Sequence, residues 1–100
     1  MAKLSYSGQA LVDLERLVEF LREVDEAAAL NTVELTEEAV NVLKRHPLIG
    51  RTVENGLREL VISRGRSGYV ALYSVETAHD AVLILAIRHQ REAGYEEAAP

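Results

Sequence analysis

Apolar residues recur at three- and four-residue steps between residues 9 and 43, and that rhythm is absent from residue 57 onward. Ahead of the periodic stretch, Leu4 and Tyr6 alternate with polar neighbours in KLSYS, which predicts a short first strand. Ser7 follows as an N-cap, because its hydroxyl can accept from a free amide of a first helical turn. Leu11, Leu14, Leu17, Val18, Leu21 and Val24 then form one stripe, with Asp13, Glu15, Arg16, Glu19, Arg22 and Glu23 on the opposite face. The rhythm falters at VDEAAAL, where Asp25 is placed to cap a second helix. Leu30, Val33, Val40 and Leu43 continue it, with Ala39 and Val42 beside them. Lys44, Arg45 and His46 suit the negative end of that helix, and Pro47 stops it. The two helices make an αα-hairpin.

HPLIGRTVENG reads as a loop from Pro47, Gly50 and Gly56. Three strand-like runs follow: LRELVIS up to the turn RGRSG, YVALYSV up to the turn ETAHD, and AVLILAIRH. Such short links predict an antiparallel meander. The third run is apolar from Ala81 to Ile87 without alternation, as expected of a central strand covered on both faces. The order β-α-α-β-β-β predicts an α+β fold, a helical hairpin packed on one face of a small, mostly antiparallel sheet. A chain of 100 residues has room for a single core. Residues 1–95 are expected to form one domain, with 96–100 as a flexible tail.

Composition narrows the classes of function. With no cysteine there is neither a disulfide nor a thiolate zinc site. MAKLSYSGQALVD lacks the apolar core of a signal peptide, and no segment reaches the ~20 apolar residues that span a bilayer. A cytoplasmic protein that avoids membranes is the expectation. The net charge is −5, and residues 1–50 hold five cations against nine acids. Such a chain is poorly suited to gripping a nucleic-acid backbone, which needs clustered cations. Direct, sequence-specific DNA binding is not expected of it.

The candidate chemistry gathers where the third run ends, in AVLILAIRHQREAGY. Arg88, His89 and Arg91 arrive within four positions, with Tyr95 behind them. In an extended strand His89 faces away from Arg88. Tyr69, Ala71 and Tyr73 share one face of their strand, and with the helices on the other face they would line an open, half-apolar groove fit for a partner peptide. Arg58 opens the strand before, a position where arginine is commonly structural. His46 and His79 fall at a helix end and in a turn. No His/Asp/Glu spacing suits a metal, no Ser-His-Asp order suits a hydrolase, and no Walker loop follows the glycines of RGRSG, so no cofactor is expected.

Taken together and in order, ALVDLERLVEFL, HPLIGRTV, GLRELVI, YVALYSV and VLILAIRHQREAGY resemble the RelE/ParE superfamily, toxins of bacterial type II toxin–antitoxin modules. The resemblance runs from about Leu4 to Tyr95. It implies a cognate antitoxin with a DNA-binding N-terminal part and a C-terminal segment that wraps the toxin. It also implies one of two activities: ribosome-dependent cleavage of messenger RNA, as in RelE-like members, or inhibition of DNA gyrase, as in ParE-like members. For a nuclease, Arg58 and Arg88 resemble the two family arginines and Tyr95 the C-terminal tyrosine. The lysines of the nuclease branch have no equivalent, since the chain's only lysines are Lys3 and Lys44. Charge and missing lysines favour the gyrase-directed reading, without enzymatic chemistry. The ribosome-dependent nuclease is the alternative, and a homologue that only binds antitoxin is a third. The surface expected to meet target or antitoxin comprises Arg58, Tyr69, Tyr73, Arg88, His89 and Arg91.

Overall fold

Ser7 and Asp25 start the helices at the predicted places. In the computed structural model, which describes residues 1–63 and 68–89, the Ser7 hydroxyl accepts from the Ala10 N–H at 3.0 Å. Asp25 Oδ1 accepts from the N–H groups of Ala27 and Ala28, and the Asp25 N–H donates to Leu21 O. One residue thereby closes the helix α1 (Gly8–Val24) and opens α2 (Glu26–Val42). The strands are β1 (Lys3–Tyr6), β2 (Arg51–Thr52), β3 (Arg58–Ser63), β4 (Tyr69–Glu76) and β5 (Ala81–His89). They lie in the order β1-β5-β4-β3-β2, with β1 parallel to β5 and every other pair antiparallel.

This is the expected α+β hairpin-on-sheet arrangement with one strand added. β2 falls inside the stretch read as a loop, and two residues are too few to show a period. Its register makes it a strand: Arg51 stands opposite Glu59, and both Nε and Nη2 of Arg51 donate to Glu59 Oε1, at 3.1 and 2.9 Å.

Both helix faces differ in part from the hydropathy stripe. Leu14 and Leu17 pack on the core as expected, while Leu11 and Val24 are exposed. Ala10 is fully buried in their stead, and Asp13, assigned to the outer face, reaches the sheet. On α2 the predicted Leu30 is 65% exposed, and the buried line reads Ala29, Thr32, Thr36 and Val40, then Leu43. Two threonines are tolerated there because each hydroxyl donates to the carbonyl four residues back, Thr32 to Ala28 at 2.9 Å and Thr36 to Thr32 at 2.8 Å. Neither buried hydroxyl is left without a partner.

The core joins Ala10, Val40 and Leu43 from the helical side to Ala71, Tyr73, Val82, Ile84 and Ile87 of the sheet. β5 is central, as predicted, but not equally covered: Val82 and Ile84 are buried, whereas Ala81, Leu83 and Leu85 are half-buried. The unbroken apolar run reflects a strand paired on both edges, with one face under helices. Among the described residues no helix is long and apolar enough to cross a membrane.

Candidate functional site

The loop after α2 is held in place by two side chains from neighbouring strands. Arg58 and Tyr73 stand opposite each other on β3 and β4. Arg58 Nη1 donates to Leu48 O at 3.0 Å and to Gly50 O at 2.8 Å. The Tyr73 hydroxyl donates to Pro47 O at 2.8 Å and accepts from the Gly50 N–H at 2.9 Å. Four hydrogen bonds therefore latch residues 47–50 to the sheet, and Leu48 and Ile49 are left exposed on top of it. Arg58 is half-buried and holds carbonyls rather than the acidic side chain of a neighbour.

The end of β5 is arranged differently. Arg88 is exposed and pairs with Val70, whose β4 neighbours Tyr69 and Ala71 face the helices, so Arg88 lies on the sheet face away from the helices, beside the buried Val70 and Ala86. His89 lies on the covered face opposite Tyr69, and the two rings meet edge-to-face with centroids 5.8 Å apart. Arg88 and His89 thus face opposite ways, as their adjacency required. Arg91 and Tyr95 lie outside the described residues, as do residues 64–67 of the RGRSG turn and the tail 96–100.

One expectation is corrected. Tyr69, Ala71 and Tyr73 do share a face, but it is the face that the helices cover, and they are 5%, 0% and 0% exposed. They line no open groove, and Tyr73 in particular is core. Period two identified the shared face correctly; which side the hairpin would take depended on the connection from β1 through α1, which hydropathy does not report. Arg58 and Arg88 are not brought together either. They stand on opposite faces, and their partners Tyr73 and Val70 are three residues apart along β4, about 10 Å at the usual strand rise.

The sequence of this chain matches the model of a family described as the ParE toxin of the type II toxin–antitoxin system parDE, over residues 4–94. The chain belongs to that family. Toxin RelE3 of Caulobacter vibrioides is 34% identical over 92 residues, which is 92% of this chain and 98% of that protein. In fold, the chain is similar to a chain of the chromosomal ParDE system of P. aeruginosa, with a TM-score of 0.72 and 24% identity over 89% of this chain and 96% of that one. A chain of the RelBE2 toxin–antitoxin complex of Mycobacterium tuberculosis gives 0.60 and 24%, covering 88% and 90%. This ParE-family chain is thus a type II toxin of the RelE/ParE superfamily.

Among the described residues of the ParE-family chain, no group of three His, Asp or Glu side chains is placed to hold a metal ion. Among the described residues, Tyr6, Tyr69 and Tyr73 have raised pKa values. Burial raises the Tyr73 hydroxyl above its ordinary pKa, against the opposing influence of the Gly50 N–H and Arg58. Burial raises Tyr69 as well, and Tyr6 is raised by burial and then by Glu37. A raised acid favours the neutral form in the fold, so its stabilising effect is complete below the unfolded pKa of about 10 and is lost as pH rises through the folded value. Urea midpoints should therefore fall from about pH 10 upward, and Tyr73→Phe should flatten that fall. A midpoint that rises in alkali would contradict the direction assigned to these groups.

Sequence reasoning missed Gly50, the Arg51–Glu59 pair and Asp13. The glycine was legible only as a turn signal. Nothing in the spacing indicated that Tyr73 would press against it.

Proposed function

We propose that this toxin is neutralised by a cognate antitoxin and acts on DNA gyrase by protein contact rather than by cutting RNA. The observation that carries the reading is the separation of the two arginines. Arg58 has its guanidinium turned onto the carbonyls of Leu48 and Gly50, while Arg88 stands exposed on the other face. A metal-independent phosphoryl-transfer centre needs several cations converging on one phosphate. Here Arg58 is occupied by those carbonyls, and the only lysines, Lys3 and Lys44, belong to other parts of the chain. A net charge of −5 also opposes docking against ribosomal RNA, whereas a protein target makes no such demand.

The antitoxin is supported by the toxin–antitoxin complexes among the structural relatives and by apolar surface on the hairpin. Phe20, Val24 and Leu30 are 63%, 73% and 65% exposed. Large apolar side chains in such numbers suit an amphipathic partner segment. Arg88 and, beyond the described residues, Arg91 are the target contacts of this reading. Arg58 has a structural part.

The RelE-like nuclease is the second reading, favoured by the identity to Toxin RelE3. Induction without antitoxin separates them. The expected result is filamentation with DNA-damage signalling, inhibition of purified gyrase, and intact transcripts on translating ribosomes. Codon-phased cuts in mapped transcripts would promote Arg58, Arg88 and Tyr95 to a nuclease set. Soluble, folded protein with neither activity would leave a homologue that only binds antitoxin.

A further inference from the structure

β5 carries one residue more than β4 can pair. Leu72 stands opposite Ala86 and Tyr73 opposite Ile84, so Leu85 is bulged out of the register. Before the bulge, Val82 and Ile84 face the helices; beyond it, Ile87 and His89 do, opposite Ala71 and Tyr69. A regular strand would have kept even-numbered residues on the covered face and aimed Arg88 toward the helices. The bulge is what turns Arg88 away from the helices.

Groups from the start of α1 hold this bulge at the point where β1 runs out. The last paired residue of β1 is Tyr6, opposite Ile84. From there the Ser7 N–H donates to Ile84 O at 2.8 Å, and the Ser7 hydroxyl donates to Leu85 O at 3.0 Å. The Ile87 N–H donates to Asp13 Oδ2 at 3.1 Å, while Gln9 Nε2 donates to Asp13 Oδ1 at 2.7 Å. Two side chains thus replace the missing neighbour strand, Ser7 at the extra residue and Asp13 two positions beyond it. A bond to a carboxylate is stronger than a neutral one, and Ile87 is itself buried, so its N–H has much to lose without it.

We propose that Asp13 is a positioning residue: by holding the Leu85 bulge it keeps Arg88 exposed on the face away from the helices, where Arg88 meets the toxin's target. The inference rests on the reading of Arg88 as a target contact. Removing the carboxylate frees the strand to slip by one residue. Such a slip exchanges the faces of Arg88 and His89 and separates the His89 ring from Tyr69.

The test compares growth arrest on induction, a readout that does not depend on which target is hit, with cross-peaks between the Tyr69 and His89 rings in NMR spectra of the full chain. Asp13→Ala should weaken toxicity by about tenfold or more, the scale of one charge-assisted hydrogen bond, and should abolish the ring cross-peaks. Asp13→Asn retains an oxygen acceptor and should restore both. Arg88→Ala should lose toxicity with the ring contact intact. Ser7→Gly, which spares the helix cap most of its loss, should act in the direction of Asp13→Ala and decides the matter if that variant does not fold. Full toxicity of Asp13→Ala beside an inactive Arg88→Ala overturns the positioning role. Full toxicity of Arg88→Ala overturns the contact reading and this inference with it, while the ring cross-peaks still report whether Asp13 holds the bulge.

Discussion

Gly50→Ala is expected to be among the most damaging single substitutions in this protein. A Cβ at Gly50 would stand 2.5 Å from the Tyr73 hydroxyl oxygen, 2.7 Å from its ring and 2.8 Å from the carbonyl oxygen of Glu59. One of these neighbours is backbone and another is a fully buried ring, so none can simply swing away. Overpacking of this kind costs about 1–3 kcal/mol. Displacing Tyr73 also breaks its bonds to Pro47 and Gly50, and a buried group left unpaired costs about 1–3 kcal/mol more. The combined loss, about 2–6 kcal/mol, is a large part of the roughly 5–15 kcal/mol that holds a small domain together. Urea unfolding at neutral pH measures it. In a Tyr73→Phe background the added loss should shrink, because the two substitutions break the same bonds. A loss below about 1 kcal/mol would mean that residues 47–50 shift aside without cost, and that the latch is not the rigid element described above.

Leu43→Ala should cost about 2–5 kcal/mol, while Leu30→Ala should fall within about 0.5 kcal/mol of the parent. Hydropathy places both leucines in one helical stripe, yet Leu43 is fully buried in the core and Leu30 is 65% exposed. Removing Leu43 leaves a void beside Val40 and the sheet that the surrounding residues can fill only in part. Removing Leu30 takes away surface that is mostly hydrated already. Equal losses at the two sites, read from the same urea titrations, would contradict the assigned face of α2.

The contrast between these leucines shows how far patterning carries. In α2 the stripe of large apolar residues and the line of buried ones are different lines, because Thr32 and Thr36 satisfy their hydroxyls within the helix and so count as small core residues. An exposed leucine and a buried threonine are both ordinary once the partner surface is known, and neither is visible before it is. In α1 the same shift replaces Leu11 by Ala10 and draws in Asp13, whose partner is a backbone amide 74 positions along the chain. The candidate site was legible to a similar depth. That Arg88 and His89 face opposite ways followed from adjacency alone, but which of them faces solvent did not, because an unpaired residue at position 85 intervenes.

The sequence alone determined the element order apart from β2, both helix N-caps, the meander and the family resemblance, since each depends on residues close together in the chain or on their succession. Ser7 caps the helix that follows it and Asp25 the next, whereas α2 ends at Val42, before the Lys44, Arg45, His46 and Pro47 read as its end. Tertiary structure decided which sheet face the hairpin covers, and so buried the tyrosines that were expected to line a groove. It turned Arg58 onto the carbonyls of Leu48 and Gly50, pressed Tyr73 against Gly50, and set the bulge that aims Arg88 outward. Each of these outcomes joins residues far apart in sequence, and each depends on sterics and hydrogen bonds that exist only once the elements have docked.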